Sequence, residues 1–213
     1  MAKVLGHNLD FYFRNGYKLD GKFDLPYVRK QKIDLNDLKL IRFSSIVKDE
    51  TKDTDATIHF FEPDERFDEV WENPESYLAE LAQYKQVMTP DFSLYSDMPL
   101  TLQLMNTHRS RWCGAYWQEH GLTVIPTIGW CSEWSFEFCF DAVEFGSVVA
   151  VATLGVRDCK QSFMAGFSEM CKTIDPEAVI CYDEPFEDMY SFVDVIHVPY
   201  LRNTRIAQMK DRR

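Results

Sequence analysis

The chain has 213 residues, 46% of them hydrophobic and 15% aromatic, enough for one domain of ordinary size with a substantial core. Its net charge of −11 repels phosphate backbones and excludes a body built for nonspecific nucleic-acid binding. The charge is uneven: residues 1–32 and 202–213 carry +4 each, which leaves −19 on the stretch between them.

Residues 1–36 read as an irregular or hairpin-like segment, with Asn15-Gly16 and Asp20-Gly21 as turn signals. Residues 37–200 form a single α/β domain, and 201–213 a basic tail. A first strand is expected at 38–46 (LKLIRFSSI), then a polar loop over 48–57 and a second strand at 57–62 (TIHFFE). Asn73-Pro74-Glu75-Ser76 opens a helix that runs to about Tyr84, with proline in its first turn and Glu75 at the positive end of its dipole. A strand over 86–91 precedes a long helix over 98–119, which has Pro99 near its start and Gly121 after its end. On that helix Leu102, Met105, Trp112 and Tyr116 share a broad face assigned to the core. Arg109 lies on the same face, and Arg111 is expected to point to solvent. Further strands are expected at 122–128, 147–153, 178–182 and 192–198, with a short helix at 132–139 and a longer one at 158–174.

Strands that alternate with helices point to β-α units and a mainly parallel sheet, either open or closed into a small irregular barrel. The apolar runs SVVAVAT (147–153) and AVICY (178–182) suit strands covered on both faces. In such folds ligands bind beyond the carboxyl ends of the strands. Asp91, Thr127 to Trp130, Thr153 to Gly155 and Tyr182 to Glu184 all fall at such ends.

The opening MAKVLGHNLDFYFRNGYK lacks the apolar run of a signal peptide, and nothing approaches the roughly 18–20 apolar residues of a membrane helix. A cytoplasmic setting without membrane contact is therefore expected. The six cysteines form no CxxC pair, several sit in apolar runs, and they read as buried, reduced thiols. There is no P-loop, GxGxxG, GxSxG, HxH or HExxH. Cys131 has no histidine beside it in sequence to activate it as a nucleophile.

The candidate site residues cluster in the region 91–141 and at Tyr182. Asp91, Asp97 and Glu133 are the candidate catalytic carboxylates. Asp91 and Asp97 are also the candidate ligands for a divalent metal, because hard cations take oxygen donors. The competing readings are structural: Asp91 bonding loop amides, Asp97 capping the next helix, and Glu133 favoured by a helix dipole. Ser93 and Tyr95 lie between the two aspartates. An arginine on a buried face needs an anionic partner, so Arg109 reads either as a clamp for a phosphate or carboxylate or as half of an internal ion pair, with Asp91 or Asp141 as the candidate partners. Trp117 and Trp130 are candidate stacking surfaces, with Gln118 to read a polar edge, and Asp141 and Tyr182 complete the polar set. Gly114 within the long helix costs about 1 kcal/mol relative to alanine, which signals close packing or a close ligand.

The blocks TPDFSLYSDMP, RSRWCGAYWQ, VIPTIGW and SVVAVATLGV resemble, in that order, a family described as a domain of unknown function and frequent in bacteriophages, plasmids and other mobile elements. The resemblance covers roughly Phe67 to Tyr182. Near the first strand, where that family has an IPFN-like tetrapeptide, this chain has Arg42-Phe43-Ser44-Ser45. The resemblance implies a mobile-element context and no particular reaction.

Three functional readings follow. In the first, the protein binds or processes a nucleotide, nucleoside or nucleic-acid-derived ligand at the strand ends. In the second, it is a non-enzymatic partner protein, counter-defence or regulatory, that engages a basic protein through its acidic surface. In the third, it is a replication or transfer accessory that touches DNA only through its basic ends. The sequence leaves open whether the protein is an enzyme.

Overall fold

The computed structural model describes residues 16–47 and 53–200. The basic tail at 201–213 and the first half of the polar loop at 48–57 lie outside these residues. So does the Asn15 half of the first turn signal.

The Asp20-Gly21 signal holds. Gly21 takes a left-handed backbone (φ 74°) and closes a small antiparallel hairpin, β1 (Leu19–Asp20) with β2 (Leu25–Pro26). The remaining strands are parallel and follow chain order. β3 (Leu40–Arg42), β4 (Thr57–His59), β5 (Gln86–Met88) and β6 (Val124–Ile125) form one sheet, and β7 (Val149–Ala152), β8 (Val179–Tyr182) and β9 (Val195–Val198) form another. Among the described residues a single parallel bridge, Thr127 with Ala150, joins the two sheets. At that joint the Ile128 amide donates to the Ala150 carbonyl and the Ala150 amide to the Pro126 carbonyl, each at 2.8 Å.

Each strand presents alternate residues to two cores, as the period of two requires. Facing inward, Met88, Ile125, Ala150 and Ile180 form one cluster, with Leu40, Ile196 and Val198 packed against it. Because strands from both sheets meet there, the sheet curls around a shared interior. Phe61 and Tyr182 stack across it at 5.0 Å, and His59 lies 4.8 Å from Tyr182. The curl stops short of a closed barrel: among the described residues no ladder joins β3 to β9. Side chains span that seam instead, with the Arg42 guanidinium 5.7 Å from the Tyr200 ring.

Facing outward, Ile41, Ile58, Val87 and Val124 pack under the second half of a long helix through Trp112, Cys113, Tyr116 and Trp117. Val149, Val151, Val179 and Cys181 pack under another helix through Phe163, Phe167, Met170 and Ile174. The helices in chain order are α1 (Phe43–Val47), α2 (Glu69–Glu72), α3 (Glu75–Leu81), α4 (Leu100–Glu119) and α5 (Lys160–Ile174). None is long and apolar enough to cross a membrane, among the described residues.

Two expectations need correction. The first strand ends at Arg42, and Phe43–Val47 turns into a helix that buries Phe43 and Ile46 at i, i+3 spacing. The orientation of α4 also differs. Leu102 and Met105 are 52% and 40% exposed, whereas Arg111 is only 2% exposed. The N-terminal half of α4 instead turns its amides inward. Gln103 donates to the Tyr95 and Met98 carbonyls (3.1 and 2.8 Å), and Asn106 to the Ser93 carbonyl (2.7 Å). Satisfying those loop carbonyls outweighs burying two flexible apolar side chains.

Candidate functional site

The carboxyl ends of β4 to β7 open into a cleft of about 280 Å³. Asp91 to Tyr95 form one side and Ile128 to Trp130 another, with Ala152, Leu154, Val156 and Phe163 opposite and Glu62 at the end of β4. Four of the candidate residues meet here: Asp91, Ser93, Tyr95 and Trp130.

Asp91 follows Pro90 just beyond β5. Its carboxyl has no hydrogen-bond or ion-pair partner among the described residues. Burial, helped by the nearby Asp64 carboxylate, raises its pKa from the usual carboxylate range to about 7. On its inner side lies a small polar chamber of about 20 Å³, the size for a single water molecule, lined in part by Ser110, Arg111 and Thr127. The Thr127 hydroxyl oxygen is buried without a partner among the described residues.

The loop from Asp91 to Asp97 is pinned from two sides. Asp64 accepts hydrogen bonds from the Ser93 amide (3.1 Å) and hydroxyl (2.8 Å), and the Tyr95 hydroxyl donates to Ser93 Oγ at 3.2 Å. From behind, the Arg109 guanidinium lies 3.9 Å from the centre of the Phe92 ring, donates to Asn106 Oδ1 at 2.6 Å and pairs with Asp68 at 3.5 Å. Arg109 therefore makes an internal ion pair, with Asp68 rather than with Asp91 or Asp141, and it does not line the cleft.

Trp130 forms part of the cleft wall, its ring 4.9 Å from Phe163 and 5.9 Å from Phe140. Gly166 on α5 makes space for it, because a Cβ at that position would overlap the indole.

The other candidates lie elsewhere. Asp97 is exposed on a loop and Glu133 is exposed at the start of a short 3-10 helix (Glu133–Glu137), both outside the cleft lining, and the N-cap of α4 is Pro99, with no side-chain capping bond. Trp117 is fully buried and stacked on Phe60 at 5.7 Å. Gln118 holds the N-terminal segment: it accepts from the Arg29 amide (2.9 Å) and donates to the Arg29 carbonyl (2.7 Å) and to Gln31 Oε1 (2.8 Å). Asp141 sits under the β1–β2 turn, where burial raises its pKa. Tyr182 faces the curled interior and is hydrogen-bonded to Arg42. Beside it, burial and then Arg42 push His59 down to about 3, so the imidazole is neutral. Among the described residues, no group of three His, Cys, Asp or Glu is placed to hold a metal ion.

Arg111 takes the buried role expected of Arg109. Its guanidinium donates to the backbone carbonyls of Asp141 (3.1 Å), Thr127 (3.2 Å) and Cys139 (2.6 Å). Sequence reasoning also missed Glu62, Asp64 and Phe163. Glu62 carried one usable signal, its place at the end of the expected strand TIHFFE.

The profile of the domain-of-unknown-function family DUF4417 matches residues 17–199. The chain belongs to that family. DUF4417 thus covers every strand and helix described above. The chain is 42% identical over 132 residues to the Gene 1 protein of Mycobacterium phage L5, covering 61% of this chain and 58% of that protein. It is 37% identical over 160 residues to the Gene 1 protein of Mycobacterium phage D29, covering 73% of this chain and 59% of that protein. Each match spans less than two thirds of the relative's own length. Both relatives are phage proteins, in keeping with the mobile-element context that the resemblance implied. No solved structure matches the chain.

Proposed function

We propose that the cleft of this DUF4417 protein binds a nucleoside-type ligand in unphosphorylated form, with Asp91 as the acid–base group and Trp130 as the stacking surface. The observation that carries this reading is the unpartnered Asp91 carboxyl, held near neutrality and facing a cleft walled by Trp130 and Phe163. A carboxyl poised near pH 7 is matched to proton transfer: it gives a proton to a leaving group or takes one from water. The same lining favours an uncharged ligand. Glu62 and Asp91 are its ionisable carboxyls and no Lys, Arg or His joins them, so a phosphate would enter an acidic cleft without a cation to receive it.

Isothermal titration with a panel of nucleosides and the matching monophosphates tests the reading. Nucleosides bind more tightly than their monophosphates, and both Asp91→Asn and Trp130→Ala weaken binding while the fold is retained. If no nucleoside binds, or if both variants bind as the parent does, the reading is wrong.

A further inference from the structure

We propose that Glu62 recognises an N–H donor on the ligand, so that the cleft selects nucleosides whose base carries an exocyclic amino group over those with a carbonyl in its place. This rests on the nucleoside reading and narrows it.

Glu62 lies three residues beyond the end of β4, on the cleft wall, with its side chain only 2% exposed. One carboxylate oxygen is engaged: Oε1 accepts from the Ser44 amide at 2.9 Å. The other, Oε2, is buried and has no hydrogen-bond partner among the described residues. Arg66 forms a long ion pair with it, Nη1 at 3.7 Å on a side chain 48% exposed, which is outside hydrogen-bonding distance. A buried acceptor of this kind is costly until a donor reaches it. No lysine, arginine or histidine shares the lining, and no lining side chain donates to Oε2: the Ser93 and Tyr95 hydroxyls donate to Asp64 and to Ser93 instead.

A ligand supplies the donor instead. A base stacked on Trp130 presents its edge, rather than its face, to the carboxyl groups around it. An amino group there gives Glu62 Oε2 a charge-assisted N–H bond. A carbonyl at the same place sets two acceptors against each other in a site sheltered from water, so the carboxylate contributes to selectivity through repulsion as well as attraction. A ribose hydroxyl is the competing donor, and it is common to every member of the test panel.

In two nucleoside pairs a carbonyl replaces the exocyclic amino group, and the adjacent ring nitrogen changes from acceptor to donor: adenosine with inosine, and cytidine with uridine. Binding of each to the unmodified protein is measured by titration calorimetry, and then to Glu62→Gln. The amino member of at least one pair binds roughly tenfold or more tightly than its partner. In Glu62→Gln, whose amide oxygen still accepts from Ser44, that preference falls to within about threefold. Equal affinities within both pairs overturn the inference and leave the nucleoside reading standing, as expected if the ribose alone is recognised. Discrimination that persists unchanged in Glu62→Gln also overturns it. If no nucleoside binds at all, both readings fall together. Where Glu62→Gln folds poorly, Glu62→Asp, which keeps the charge but withdraws the carboxylate, is measured in its place with the same two outcomes.

Discussion

Asp91 has a pKa of about 7 in the folded chain, against about 4 for an aspartate in an unfolded one. Between those values the folded state holds the proton more tightly. Its stability therefore falls as pH rises from about 4 to about 7 and levels off above that. Asp91→Asn removes this dependence, so thermal melts of parent and variant at pH 5 and pH 8 show the variant gaining on the parent at the higher pH. An identical difference at the two pH values rules out the raised pKa. At Arg111 the expected effect is on stability alone. Burial lowers its pKa to about 10, and its guanidinium is hydrogen-bonded by three backbone carbonyls, with the Asp141 carboxylate acting on it through space. Arg111→Met orphans those carbonyls and costs about 3 kcal/mol or more by denaturant unfolding. Arg111→Lys recovers only part of that, because an ammonium cannot reproduce the planar fork. The sequence showed that one arginine of α4 was buried but named the wrong one. Arg109 and Arg111 point about 200° apart on a helix, and the apolar residues that should have marked the buried face, Leu102 and Met105, are exposed. The carbonyls that receive Arg111 belong largely to the irregular segment 139–141, and a backbone acceptor leaves no trace in residue type.

The elements themselves were largely legible. Alternation and apolar runs placed every strand from β3 to β9 within a few residues, because most of these strands are covered on both faces and are largely apolar there, with Thr57, His59 and Gln86 as buried polar exceptions. The helix at 43–47 was not legible, since Phe43 and Ile46 satisfy a strand pattern as readily as a single helical turn. At the cleft, the strand ends bring together Asp91, Ser93, Tyr95 and Trp130. Glu62 and Asp64 follow the neighbouring strand β4 and reach that loop through the β4–β5 pairing and the Asp64–Ser93 hydrogen bonds, none of which shows in the sequence. Glycine packing makes a prediction at this scale. On propensity alone, Gly114→Ala and Gly166→Ala should each stabilise their helix by about 1 kcal/mol. In this fold a Cβ at position 114 would lie 2.8 Å from Thr89 Cγ2, and one at position 166 would overlap Trp130. Both substitutions therefore lower the melting temperature, and Gly166→Ala also weakens ligand binding by displacing the indole. A rise in melting temperature for either would show that the helices shift freely on the sheet.

At the scale of the whole molecule the parallel strands follow chain order around a common interior, so each unit packs on the one before it. The two ladders are not equally knit. Between β7 and β8 four residue pairs are in register, whereas β6 meets β7 through one bridge. The cleft straddles that thin line: Glu62, Asp91 and Trp130 come from the first sheet and its loops, and Ala152, Leu154 and Phe163 from the second sheet and α5. The molecule is thus two half-shells sutured where the ligand would lie, and an occupant that touches both sides acts as a rivet. Amide hydrogen exchange reads this directly. The Ile128 and Ala150 amides exchange faster than those at the centre of β8 in the free protein, and they slow more than any others once the cleft is filled.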